Sequence, residues 1–450
     1  MSVLDQVVKA YDIRGLAPGE LDPQLTRRLG AAFARFAVVD RDGGPGPVVV
    51  ARDMRSSGVA LAEAFSDGVL AQGVDVVDIG LASTDLLYFA SGDLDAPGAM
   101  FTASHNPAEY NGIKLCLAGA APVGQDTGLA EIKALAEREL PAAEHRGART
   151  EQDLIAEFAR HVQSFADRHL LRPLKVVADT ANGMGGLVAP VVFDGLPFQL
   201  DILFGDLDGT FPNHPADPLQ EENLKDLQAR VLETGADVGL AFDGDADRVF
   251  LVDEQANPVS GSLTTALVAQ GMLEKNPGAK IIHNLICSRV VPEVISELGG
   301  TPIRTRVGHS FIKAKMAETG AVFGGEHSGH YYFRENWRAD SGLIAALVVL
   351  ERMSKEGRPL SEVLRPLQRY AQSGEINTRV DDPHAVIEKV AQHYEQLAQD
   401  RLDGLTVDGG EWWFNLRPSN TEPLLRLNLE APTREECDRR ATEVEKAMIG

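Results

Sequence analysis

The stretch P-V-V-V-A-R-D-M-R-S-S-G (47–58) decides the fold class: an apolar strand, a polar turn, then the start of a helix-like segment. The same plan returns in K-V-V-A-D-T-A-N-G-M-G-G (175–186) and in K-I-I-H-N-L-I-C-S-R (280–289). Second apolar strands follow, V-D-V-V-D-I-G (74–80) and F-Q-L-D-I-L (198–203). Strand–helix–strand units of this kind build a largely parallel sheet covered by helices. Their recurrence from residues 47, 175 and 280 implies three related α/β domains in series.

The C-terminal part differs. After S-G-E-I-N-T-R-V (373–380) the pattern predicts a helix over 384–399, strands at W-W-F-N-L (412–416) and L-L-R-L-N-L (424–429), and a charged helix over 434–448. That is a smaller α+β domain. A chain of 450 residues exceeds what one core serves. The expected domains are 1–148, 149–253, 254–368 and 369–450.

Composition bounds the partners. A net charge of −23 argues against nucleic acid, whose binders present basic surfaces. It leaves room for a small anionic ligand, because a few clustered arginines make a local positive pocket. The cysteines, Cys116, Cys287 and Cys437, are odd in number and far apart, which fits a reducing compartment. The N-terminus carries no apolar signal core, and the longest apolar run, 343–350, is too short to span a bilayer. The expectation is a cytoplasmic protein without membrane contact.

The sharpest chemical signal is D-V-G-L-A-F-D-G-D-A-D-R-V-F-L-V-D-E (237–254). Asp243, Asp245 and Asp247 alternate with small residues, so three carboxylates can converge on one hard cation. An EF-hand would need glycine where Arg248 stands, and helices where V-G-L-A-F and V-F-L-V read as strands, so that reading fails. Magnesium suits the cluster if a phosphate oxygen adds a further ligand.

Other stretches offer sugar and phosphate chemistry. In G-G-E-H-S-G-H (324–330), glycines allow close backbone approach, while Glu326 and Ser328 suit sugar hydroxyls. His330, and His309 in V-G-H-S-F-I-K (307–313), are candidate general bases. In R-P-S-N-T-E-P (417–423), Arg417, Ser419, Asn420 and Thr421 form a donor set matched to a phosphate dianion, although a plain turn reads the same way. F-T-A-S-H-N-P (101–107) puts Ser104 beside His105, with Asn106-Pro107 expected to cap a helical turn whose first amides face an anion.

Taken in order, Y-D-I-R-G, T-A-S-H-N-P, D-G-D-A-D-R, G-E-H-S-G-H and R-P-S-N-T-E-P resemble the signatures of the α-D-phosphohexomutase superfamily, and most closely its bacterial phosphomannomutase/phosphoglucomutase group. Thr102 and His327 look more like the phosphomannomutases than the phosphoglucosamine mutases.

The resemblance implies four domains around a central cleft, three α/β domains with mixed sheets and a smaller α+β domain. It implies a phosphoserine at Ser104, one Mg²⁺ held by Asp243, Asp245, Asp247 and a phosphoserine oxygen, and hexose 1,6-bisphosphate as activator. Arg14, His105, Lys114 and Arg248 match residues around the phosphoserine. Glu326 and Ser328 match sugar-binding residues, and Arg417, Ser419, Asn420 and Thr421 the loop that grips the non-reacting phosphate. The expected activity is interconversion of mannose 6-phosphate and mannose 1-phosphate by a monomer or dimer, with glucose or dual specificity as the alternative.

Two readings from other classes stay open: a phosphatase with Asp243 as nucleophile, and a non-catalytic sugar-phosphate sensor. One departure from the group is Ile286 in N-L-I-C-S-R, where many relatives carry a basic residue; either a phosphate contact is missing or Arg289 or Arg306 replaces it.

Overall fold

The computed structural model describes residues 3–9, 11–41, 46–418 and 424–449. The chain divides into two compact units, residues 1–260 with 328–363, and residues 261–327 with 364–450.

The first unit contains two mixed sheets. One runs in the order Ile13–Leu16, Tyr110–Leu117, Gly98–Phe101, Val48–Arg52, Val76–Leu81, Arg149–Glu151. Val48–Arg52 pairs in parallel with both neighbours, and its valines are all buried, as expected of a strand covered on both faces. Tyr110–Leu117 then turns back antiparallel to Gly98–Phe101, so the strands either side of the Ser104 loop form one hairpin.

Two helices over this sheet pack at backbone distance. Pro23–Ala34 starts with Asp22 accepting from the Leu25 amide and proline at its first position, a strong start signal. It meets Gly58–Ala71 through glycines: a Cβ on Gly30 would sit 2.1 Å from the Phe65 carbonyl oxygen, and one on Gly68 would sit 2.0 Å from that of Arg27.

The second sheet has the order Pro258–Val259, Val249–Asp253, Val238–Phe242, Lys175–Asp179, Gln199–Leu203. Val238–Phe242 is parallel to Lys175–Asp179 but antiparallel to Val249–Asp253, and 243–248 is the tip of that hairpin. Gly342–Glu356 completes the unit. The 343–350 run lies wholly inside it as a buried core helix, capped by Ser341.

In the second unit, Lys280–Asn284 pairs in parallel with Thr301–Thr305 and Phe323–Gly325, flanked by helices such as Gly261–Lys275 and His309–Thr319. The C-terminal part is an antiparallel sheet ordered Ala371–Arg379, Leu424–Ala431, Trp413–Pro418, Leu405–Asp408, Ala398–Asp400, with helices Pro383–His393 and Arg434–Ile449. The expected 384–399 helix therefore stops at His393 and gives way to a strand. Among the described residues no helix is long and apolar enough to cross a membrane.

Candidate active site

Strand Gly98–Phe101 delivers the chain into the loop carrying Ser104, and the loop is two tight turns rather than a capped helix. The Asn106 amide donates to the Ala103 carbonyl at 3.0 Å, and the Tyr110 amide to the Pro107 carbonyl at 3.1 Å. The expected helical turn at Asn106 is absent because the chain returns at once into Tyr110–Leu117. Ser104 itself holds φ +49°, the left-handed region, which costs an L-residue roughly 1–2 kcal/mol. Surrounding contacts must offset that cost.

They do. The Ser104 hydroxyl donates to Asp243 Oδ2 at 2.7 Å, and Arg248 Nη2 donates to it at 3.0 Å. Arg248 also donates to Asp243 from Nε at 2.8 Å and from its amide at 3.2 Å. His105 Nδ1 faces both Ser104 Oγ, at 3.3 Å, and Arg248 Nη2. Arg248 first, then burial and Arg14, push the His105 pKa down to about 2. Its ring is a neutral acceptor here. Arg14 reaches over from the edge strand to the Asn106 side chain and to Asp12.

Glycine is required where these loops touch. A Cβ on Gly244 would lie 2.5 Å from the Ser104 carbonyl oxygen, so D-G-D can approach the serine loop only without a side chain there.

The acidic cluster fits a cation. Ligand atoms of Asp243, Asp245 and Asp247 lie within 4.8 Å of one another, all three residues buried. Lys114 donates to Oδ2 of Asp245 at 2.7 Å and of Asp247 at 2.6 Å, and Thr84 Oγ1 donates to the same Asp245 oxygen at 2.5 Å. Those bonds leave Oδ1 of both aspartates buried and accepting no hydrogen bond. Two orphaned carboxylate oxygens beside Asp243 are what a hard, oxygen-seeking ion completes.

Charge on the protein bears the same mark. Burial raises the Asp243 pKa to about 8 against the opposing pull of Arg248, with Asp245 and Asp247 adding to the rise. Although burial opposes it, Lys114 is held well above its usual value by Asp245 and Asp247.

Other expected residues fall as follows. His330 bridges the Arg248 backbone, contacts Ser328 Oγ at 3.2 Å, and places Nε2 3.9 Å from Asp247 and 4.0 Å from Asp340. In the second unit, buried Glu326 accepts from the Gly308 amide at 3.1 Å, just before His309 opens its helix. Arg417 is buried and paired with Glu375 at 2.8 Å. Ser419, Asn420 and Thr421 lie outside the described residues.

Arg289 is engaged elsewhere: its guanidinium bonds Asp408 at 2.7 Å and the Gly410 carbonyl, and its amide bonds Glu430 at 3.0 Å. Ile286 is buried. Arg306 is half exposed, over the Phe311 ring at 4.5 Å.

Three residues at this site have no obvious signal in the sequence. Thr84 opens helix Thr84–Asp93 and bonds Asp245 twice, through Oγ1 and through its amide at 3.0 Å. Asp85, buried beside it, accepts from Ser341 at 2.7 Å. Arg55 lies 1% exposed behind the Ser104 loop.

Comparison with known proteins decides the family. Descriptions of phosphoglucomutase/phosphomannomutase alpha/beta/alpha domains I, II and III match residues 5–142, 155–257 and 260–370, and the C-terminal domain of the same family matches 375–447. The chain belongs to the phosphoglucomutase/phosphomannomutase family.

Relatives within it are similar along nearly the whole length. "Phosphohexose mutases" of Xanthomonas campestris pv. campestris is 44% identical over 432 residues, 94% of each chain. "Phosphomannomutase" of Escherichia coli (strain K12) is 40% identical over 435 residues, again 94% of each. The crystal structure of a phosphoglucomutase/phosphomannomutase family protein from Burkholderia thailandensis superimposes with a TM-score of 0.90 at 33% identity, covering 100% of this chain and 97% of that one. Three α/β domains with mixed sheets and a C-terminal antiparallel domain are the architecture of this phosphohexomutase family.

Proposed function

We propose that the chain interconverts mannose 6-phosphate and mannose 1-phosphate through a phosphoserine at Ser104 and a hexose 1,6-bisphosphate intermediate. The contact of Ser104 Oγ with Asp243 and Arg248, at 2.7 and 3.0 Å, carries this reading. A nucleophile held between an acidic cluster and a fixed guanidinium suits phosphoryl transfer, in which catalysis is mostly positioning and charge stabilisation.

The sugar's free hydroxyl oxygen attacks the phosphorus of phosphoserine 104. The P–Oγ bond breaks as the new P–O bond forms, and the hydroxyl proton passes to His330. After the bisphosphate turns over, its other phosphoryl group goes to Ser104 Oγ and a proton returns to the sugar oxygen. Arg14, Lys114 and Arg248 supply positive charge around the transferring group, and neutral His105 orients Arg248. A Mg²⁺ ion held by Asp243, Asp245, Asp247 and a phosphoserine oxygen would neutralise charge on the transferring group. Glu326 and Ser328 read sugar hydroxyls, His309 stands as the second candidate base, and Arg417 with 419–421 grips the non-reacting phosphate.

The mannose assignment follows relatives that carry the name phosphomannomutase. A phosphatase using Asp243 is disfavoured by its bonds, since both its oxygens accept hydrogen bonds from Ser104 or Arg248. Three buried cysteines, none in a disulfide, support a cytoplasmic setting.

The test supplies mannose 1-phosphate and glucose 1-phosphate in turn, with magnesium and a trace of hexose 1,6-bisphosphate, and follows the 6-phosphates. Faster turnover of the mannose ester is expected. Release of free phosphate without isomerisation would point to the phosphatase, and tight binding without reaction to a sensor.

A further inference from the structure

Arg55 belongs to no stretch so far given a chemical role, yet every N–H of its guanidinium is committed to the serine loop or to the aspartate that neutralises it. Nη1 donates to the carbonyls of Pro107 at 2.7 Å and Tyr110 at 3.0 Å. Nη2 donates to those of Asn106 at 2.7 Å and Ser104 at 2.9 Å. Nε donates to Asp53 Oδ2 at 3.2 Å, and the Asp53 Oδ1 atom takes the Arg55 amide at 2.9 Å. That uses all five donors of the side chain.

The surroundings fix the guanidinium in turn. Asp53 is fully buried, so the ion pair is shielded from water. The Phe211 ring covers the charge, its centroid 5.0 Å from Cζ, and a Cβ on Gly209 would meet the Arg55 Cα at 2.7 Å.

From this we infer that Arg55 is the positioning residue of the phosphoryl acceptor: by gathering four carbonyls of the loop 104–110 it holds Ser104 in the left-handed conformation that aims Oγ at Asp243. The turn itself serves the Pro107 carbonyl through the Tyr110 amide, but the loop has no ladder for those of Ser104 and Asn106, and buried carbonyls must find donors. Only a fork of several N–H groups serves four oxygens at once; an ammonium has three donors and no planar array. The inference rests on Ser104 being the group that carries phosphate, and it assigns Arg55 an effect on transfer rather than on sugar binding.

The experiment uses the full chain with glucose 1,6-bisphosphate as the phosphoryl source. Phosphorylation of Ser104 is followed by intact mass, kcat and KM are measured with mannose 1-phosphate, and Tm is recorded. For Arg55→Gln the phosphorylation rate and kcat should each fall about 100-fold, the loss expected of an ångström-scale misplacement, with KM little changed. Val69→Ala, a cavity in the same domain's core and outside the loop, should lower Tm while keeping kcat. Should Arg55→Gln fail to fold, Arg55→Lys carries the same test and should also be slow. An Arg55 variant phosphorylated as fast as the wild type overturns this inference alone, as does a Val69→Ala variant that loses as much kcat. A wild-type chain that takes no phosphoryl group on Ser104 overturns the proposed function and this inference with it.

Discussion

The hydroxyl of Ser104 donates to Asp243 across 2.7 Å, although 139 residues separate them in the chain. A hydroxyl and a carboxylate in direct contact make each depend on the other, and in the proposed mechanism that hydroxyl carries the phosphoryl group. Ser104→Ala should therefore reduce isomerisation by on the order of 10⁴-fold or more, as loss of a covalent nucleophile does, while the fold survives. A variant that still isomerises at the wild-type rate would remove Ser104 from the mechanism.

Asp245 offers its Oδ1 to a cation because Lys114 and Thr84 hold its Oδ2. Outer-shell donors of this kind are worth about 10- to 100-fold in metal affinity. Thr84→Val should weaken Mn²⁺ binding, read by electron paramagnetic resonance, by at least about 10-fold, and Thr84→Ser should restore it. Equal affinities for valine and wild type would show that Lys114 alone orients the carboxylate.

Gly244 has no room for a methyl group, the Ser104 carbonyl oxygen lying 2.5 Å from where its Cβ would stand. Gly244→Ala should cost about 1–3 kcal/mol in urea unfolding, the usual range for overpacking, and kcat should drop with it because the serine loop must shift. Unchanged stability together with unchanged kcat would contradict the contact.

His214 supplies a pH signature of its own. Its Nε2 lies 3.1 Å from Asp179 and its Nδ1 2.9 Å from the Pro215 carbonyl. Burial lowers its pKa, but Asp179 outweighs burial and leaves it above the ordinary 6.5. Its stabilisation is thus full below pH 6.5 and disappears as pH rises through the raised folded-state value. His214→Gln should cost about 1 kcal/mol more below pH 6.5 than at alkaline pH in denaturant titrations. A loss independent of pH would mean the pair acts by packing alone.

Arg306 is the half-exposed arginine left near His309 once Arg289 is tied to Asp408 and Ile286 is buried. If it supplies the phosphate contact in place of the missing basic residue, Arg306→Met should raise KM for mannose 1-phosphate about tenfold, the equivalent of one 1.4 kcal/mol interaction, and spare kcat. An unaltered KM would leave Arg306 to the Phe311 ring and to Asp403, 3.9 Å away.

The sequence made the sheets and the acidic loop legible because both are local: valine runs and alternating aspartates keep their meaning in any context. The Ser104 loop stood out in the sequence too, but its backbone was not legible. Asn106-Pro107 reads as a helix start, and only the immediate return into Tyr110–Leu117 turns it into a tight loop. Arg55 was hidden for the opposite reason. A charged residue in R-D-M-R looks solvated, and its burial depends on carbonyls about fifty positions further on. In the C-terminal domain, Ala398–Asp400 and Leu405–Asp408 were missed because strands of three and four residues carry little periodic signal. Arg289 looked like an anion contact because its partners, Asp408 and Glu430, come from far along the chain.

The first compact unit is assembled from two separate pieces of chain, 1–260 and 328–363. Helix Gly342–Glu356 belongs to the later piece, and its first residue lies so close to the Arg248 backbone that a Cβ there would stand 2.7 Å from the carbonyl carbon. During synthesis, then, the serine, all three aspartates and Lys114 leave the ribosome well before the helix that packs on the Arg248 backbone. A nascent chain ending at residue 260 owns most of the chemistry and none of that support. Translation must run on to residue 363 before both pieces of the unit are present.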